Sequence, residues 1–189
     1  MLRRRTPPPV LEIVPAGEVD DALLHTLGDD VRAALGLQWR MGERTPLRDE
    51  WMDPRTGLYR SVHLMHALIG SAGAEKRGQA PRWRLAIADA GFCAAEAGPI
   101  FGEAEVEGCC AAVGVAPLRA GSGADADVLR ARVLTVALHE LGHLAGAAHC
   151  GRASCVMYPS RHIADTDHRG ARFCPVCVDA LKTLGIRKT

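Results

Sequence analysis

The run HELGHLAGAAHCGRASCVM, His139 to Met157, gathers three histidines, two cysteines, a glutamate and a methionine into one short stretch. No other feature constrains the fold as strongly, because so many donor side chains in one place must converge. The helix that carries the run is also the clearest periodic signal in the chain. Val128, Leu129, Val133, Val136, Leu138, Leu141 and Leu144 give it wide apolar coverage, which means a mostly buried helix. It is expected to start at a cap from Asp125 or Asp127, after the flexible loop AGSGADAD, and to end near Ala145.

His139 and His143 are four apart on this helix. Their side chains therefore leave one face about a turn apart, close enough for both imidazoles to hold one ion. A zinc centre that does chemistry needs three protein ligands, an open position, and a carboxylate that can take a proton. Gly146 supplies a residue free to adopt positive φ, which ends the helix and turns the chain back so that His149 approaches as third ligand. Glu140 sits beside His139 and is expected at the rim of the same site. Two histidines and a glutamate buried on an apolar helix without a partner would be costly, so something should satisfy them.

Cys150 follows His149 directly, Cys155 lies five further on, and Cys174 and Cys177 form a C-x-x-C. Four thiolates in two close pairs can close a tetrahedral shell around zinc, and a closed shell leaves no room for water or substrate. Such an ion would staple the short C-terminal segment against the helix. Disulfides between the pairs, or a redox-active C-x-x-C, are the competing readings. The odd total of seven cysteines, in a chain whose opening MLRRRTPPPVLEIV has prolines and Glu12 where a signal peptide needs an apolar run, argues for metal ligands in a cytosolic protein.

Along the rest of the 189 residues, VLEIVPAG reads as a strand, DDALLHTLGDDVRAALG as a helix, LQWRM as a strand, LYRSVHLMHALIG as a helix and WRLAIADA as a buried strand. The order β-α-β-α-β predicts an α/β (α+β) fold with a mixed or parallel sheet and packed helices. A hairpin is expected from Ile100–Ala104 and Cys109–Leu118, and a last helix over VDALKTLG. One domain is expected over 1–189, with the sheet and long helix in 1–149 and the four-cysteine segment in 150–189.

The combined pattern, H-E-x-x-H-x-x-G-x-x-H-C-x4-C-x-M followed by C-x-x-C over Leu138 to Cys177, resembles the archaemetzincins, a family of metzincin zinc peptidases. The resemblance implies that His139, His143 and His149 bind a catalytic zinc, that Glu140 is the general base, and that Met157 lies beneath the metal in a tight turn. It also implies that Cys150, Cys155, Cys174 and Cys177 bind a second, structural zinc, and that the fold is a twisted mixed sheet with helices and a small C-terminal part. The FGEAE stretch, Phe101 to Glu105, is similar as well.

On this reading the chain hydrolyses peptide bonds, with Glu140 taking a proton from the water on zinc and handing it to the leaving amine. The partner is a peptide or protein, paired with an edge strand near Ile100 to Glu105. A second reading, from another class, is a zinc-stabilised module that binds protein or nucleic acid through its four cysteines and keeps a non-catalytic metal site. With 23 basic against 22 acidic residues, net +1, no global field draws the chain to nucleic acid or to a membrane surface. No apolar run approaches a membrane span. The chain is expected to act as a cytoplasmic monomer. Lesser candidates are Tyr158 as an oxyanion donor, and His162 and His168 as loop histidines. Cys109 and Cys110 are taken as strand residues, Arg82 and Arg84 as solvated charge, and the Gly70–Pro81 loop as a possible cover for the cleft.

Overall fold

A computed structural model describes residues 8–71, 82–95, 97–121 and 125–182. In chain order it contains β1 (Val10–Ala16), α1 (Asp21–Leu35), β2 (Trp39–Met41), β3 (Tyr59–Arg60) and α2 (Ser61–Ser71). Four strands follow: β4 (Arg82–Ala88), β5 (Phe92–Ala94), β6 (Gly98–Ile100) and β7 (Gly102–Ala104). The chain continues with β8 (Cys110–Gly114), α3 (Ala126–Leu144), α4 (Ile163–Arg169) and α5 (Pro175–Lys182). The initial arginines and most of Gly70–Pro81 lie outside the described residues.

The main sheet has the order β2-β1-β4-β8-β7. β1 pairs parallel with β2 and β4, β4 pairs parallel with β8, and only β7 runs antiparallel, at the edge. A small second sheet, β3-β5-β6, stands apart from it. The fold is thus α/β with a mixed sheet, as expected, but the second sheet was not foreseen. Its strands are two or three residues long, too short to show an alternating pattern.

Period-two alternation sorts the central strands onto two faces. Leu11, Ile13, Trp83, Leu85, Ile87, Ala111 and Val113 face α1 and α3 in the larger core. Val14, Ala16, Ala86, Ala88 and Ala112 face α2, against Leu64, Met65 and Leu68. Large residues on one face and small ones on the other set α3 on a thick core and bring α2 close to the sheet.

Glu12 and Arg84 belong to the α2 face and are register partners, as are Glu12 and Arg40. Arg40 Nη2 donates to Glu12 Oε1 at 2.8 Å and Arg84 Nε to Oε2 at 2.7 Å. Arg84 also donates to the Leu68 carbonyl and to Ser71 Oγ. Its reading as solvated charge is therefore corrected: alternation turns it inward to a cross-strand carboxylate. The middle hairpin forms, with β7 antiparallel to β8, but within narrower bounds than expected. Its first limb is broken at Phe101 into β6 and β7, each in a different sheet, and Leu118 lies in a 3-10 turn, Ala116–Arg119.

Candidate metal centres and their cleft

Asp125 caps α3, accepting from the backbone N–H groups of Asp127 and Val128, and the 19-residue helix carries His139, Glu140 and His143 in its last turns. Gly146, at φ +81°, closes the helix as the sequence predicts. Its N–H donates to the His143 carbonyl and that of Ala147 to the Gly142 carbonyl, both at 2.9 Å, a Schellman closure. The chain turns back there and brings His149 to the other two histidines, their ring centroids 4.7 to 5.3 Å apart.

The two helical imidazoles are held by carbonyls that can only accept. His139 Nδ1 lies 2.7 Å from the Val156 carbonyl and His143 Nδ1 2.8 Å from that of Ala147. Each Nδ1 must therefore carry the proton, which leaves each Nε2 with a free lone pair. Those two Nε2 atoms are 3.2 Å apart. Two nitrogens bound to one tetrahedral zinc would be separated by about 3.3 Å, so the donors fit that ion. Burial, and then the charge of Arg169, pulls His139 down to about 3, and burial also lowers His143. Both are neutral, ligand-ready imidazoles at neutral pH.

Glu140 is only 5% exposed, so its expected place at the rim is corrected: it is set into the wall beside His139. Burial raises its carboxyl to about 8, opposed by the positive Arg169 and reinforced by Glu103. His139, Glu140 and His149 line a cleft of about 740 Å³ whose other wall includes Leu58, Phe92 and Ile100. Edge strand β7 borders it through Gly102.

Arg169, at the end of α4, is the buried charge on the cleft that sequence reasoning missed. It lines the same cleft and is 4% exposed. Its Nη1 donates to the Tyr158 carbonyl and lies 2.9 Å from His139 Nδ1. The charges of IADTDHR, Asp165 early and His168 and Arg169 late, suit a helix but do not mark this position. His162 and His168 are corrected from loop to helix. His162 is the N-cap of α4, in a reciprocal capping box with Asp165, and His168 lies in the last turn. Tyr158 is not among the residues lining the cleft; its backbone, not its phenol, meets Arg169.

The four cysteines also converge. Their sulfurs lie within 4.8 Å of one another, and none forms a disulfide. Cys150 Sγ and Cys174 Sγ are 3.8 Å apart, against about 3.8 Å for two thiolates on one tetrahedral zinc. Backbone N–H groups already point at sulfur, from Cys174 to Cys155 Sγ and from Arg152 to Cys150 Sγ. Hydrogen bonding from the Cys177 backbone leads the effects that bring Cys174 down to about 7, whereas burial pushes Cys155 and Cys177 up. α5 begins at Pro175, earlier than the sequence suggested, and so holds Cys177 in its first turn.

Met157 is fully buried and packs on Gly142, where a Cβ would come within 2.3 Å of its sulfur. Only a glycine lets the thioether reach the helix between the two ligand turns. A third donor set, Glu105, Cys109 and Cys110, also gathers. Burial holds the Cys110 thiol well above its ordinary range.

Fold and site together define an α/β protein with a three-imidazole cluster beside a cleft and a separate four-thiol cluster, each of which could hold a metal ion. Residues 96–183 match the model of peptidase family M54. Curated relatives named archaemetzincin are also similar, over part of the chain. The archaemetzincin of Methanocaldococcus jannaschii is 41% identical over 90 residues, 46% of this chain and 50% of that protein. That of Archaeoglobus fulgidus is 37% identical over 83 residues, 44% and 49% respectively. The chain thus aligns with about half the length of these curated relatives. Across nearly the whole chain the fold is similar to the crystal structure of archaemetzincin from Methanopyrus kandleri, with TM-score 0.79, 23% identity, and coverage of 97% of this chain and 98% of that one. It is likewise similar to a zinc-dependent peptidase from Methanocorpusculum labreanum, with TM-score 0.78, 22% identity, and coverage of 90% and 99%.

Proposed function

We propose that this chain is a zinc-dependent peptidase that hydrolyses peptide bonds, with one catalytic and one structural zinc. The observation that carries the reading is the convergence of two proton-fixed imidazoles and His149 beside a buried glutamate, with His139, Glu140 and His149 lining one cleft. His139, His143 and His149 would hold the catalytic ion, and Cys150, Cys155, Cys174 and Cys177 the structural one. Bound in the open centre, zinc supplies a Lewis acid that polarises a carbonyl and acidifies water.

The chain's own residues do the rest. Glu140, raised by burial, takes a proton at a carboxylate oxygen and later delivers it to the leaving amine. Gly146 sets the turn that delivers His149, and Met157 supports the helix from below. The unpaired side of β7 is positioned to take an extended peptide as a further strand, which would fix its direction across the histidines. Arg169 opposes the rise of Glu140 and keeps part of it ionised.

The whole chain reads as one metallopeptidase domain, since residues on both sides of position 149, including Leu138, Val156, Met157 and Leu181, share one core. Free thiols at all seven described cysteines suit a reducing, cytoplasmic setting. No described helix is long and apolar enough to cross a membrane. The test is Glu140→Gln. Cleavage of a peptide library should fall by at least about a thousandfold while two zinc ions per chain remain, by metal analysis. Retained cleavage would remove Glu140 from the mechanism, and chelator-insensitive cleavage would remove the metal.

A further inference from the structure

Arg169 presents a buried cation with too few partners. Its Nη1 is used by the Tyr158 carbonyl. The nearby His139 Nδ1 cannot accept a second bond, because its own proton points to Val156. Nε is buried without a hydrogen-bond partner, and among the described residues no carboxylate forms an ion pair with this guanidinium. In a guanidinium, Nε and Nη2 carry parallel N–H bonds on one edge, the fork that matches a carboxylate. That edge is the one left over. Ser160 Oγ is a second buried donor without a partner. Ser160, Arg161 and Arg169 line the same cleft as His139, Glu140 and His149.

A charge this deeply set is costly unless an anion meets it. Neither Glu140 nor Asp165 does, since each carboxylate acts on Arg169 only through space. Ser160, Arg161 and Arg169 bring donors and positive charge to the cleft, whose lining otherwise includes apolar Leu58, Phe92, Ile100 and Val136. We propose that Arg169, assisted by Ser160, is a carboxylate-binding subsite of the cleft. It would give this chain a preference for peptides that place a carboxylate close to the cleaved bond. The inference takes its substrate class from the peptidase reading, but the binding step does not need catalysis.

Two chemical sources supply such a group, a free peptide C-terminus and an acidic side chain, and three short probes separate them. Acetyl-Ala-Ala with a free carboxylate, its C-terminal amide, and acetyl-Ala-Glu-amide are titrated against the full-length chain, zinc-loaded and metal-free, so that attraction to zinc is removed in one arm. At least one carboxylate probe should bind about tenfold or more tightly than the neutral amide in both metal states. Preference for the first marks a terminal-carboxylate subsite, and preference for the last an acidic side-chain subsite.

Arg169→Gln should abolish the difference between the carboxylate probes and the neutral amide in the metal-free arm. If that variant does not fold, Arg169→Lys keeps the charge, loses the fork, and should lower the preference several-fold. Equal binding of all three probes, a preference seen only with zinc, or a preference that survives in both variants overturns the proposal. Carboxylate preference without cleavage of any peptide would sink the peptidase reading and leave the subsite standing; cleavage without preference would do the reverse.

Discussion

At the scale of single residues, Glu12 shows how a charge can serve the core. Burial alone would raise its carboxyl, but the hydrogen bond and charge of Arg84, with Arg40 behind, outweigh that and hold it below its ordinary 4.5. A carboxylate depressed in the folded state stabilises above its ordinary pKa, and that contribution is lost as pH falls through the depressed value. Thermal unfolding should therefore show stability declining below about pH 4.5. Glu12→Gln should remove about 3 kcal/mol at neutral pH and flatten that acid limb. Gly146→Ala forces an L side chain to φ +81°, with its Cβ 3.1 Å from Glu107 Oε1. Urea unfolding should show a loss of about 1–2 kcal/mol, and zinc at the histidine centre should be held less tightly, because His149 depends on that turn. The convergence of the three histidines was legible in the sequence because their spacing follows from one helix and one bend. Arg169 was not, since its importance lies in what it lacks, and a missing partner leaves no trace in a one-dimensional pattern.

At the scale of elements, α3 is both the core's principal helix and the carrier of the site. Asp125→Ala should cost about 1 kcal/mol in unfolding experiments yet leave peptide cleavage unchanged, because the cap lies about 20 Å along the helix from His139. A matching loss of activity would mean that the helix N-terminus is coupled to the cleft. The long strands and helices could be read from periodicity because β1, β4, α1 and α3 are long enough to show it. The second sheet and α4 escaped because each element is too short. For β6 and β7 the cause was different: Phe101 separates strands that belong to two sheets, and local β-propensity cannot report a change of partner.

At the scale of the whole molecule, the two donor sets and the larger core form one connected body. Cys155, Val156, Met157, Cys177 and Leu181 are buried together with Leu138, Leu141 and Leu144. Removing metal should thus be felt beyond the cysteines. A strong chelator should lower the melting temperature and speed tryptic cutting after the exposed Arg152 and Arg161, while zinc, added back under reducing conditions, should restore both. Unchanged melting after complete zinc removal would deny the thiol centre its stabilising role.

The direct succession of His149 and Cys150 gives this architecture an order of assembly. The same peptide is anchored at its far side by the hydrogen bond from Cys150 N–H to the Met157 carbonyl, so a sulfur that lets go slackens the tether on the one imidazole that no helix holds. Cys150→Ser should therefore weaken zinc at the histidines more than Cys177→Ser does, as read by competition with a chelating dye. An oxidant that reaches these thiols would then disarm the cleft without touching anything inside it.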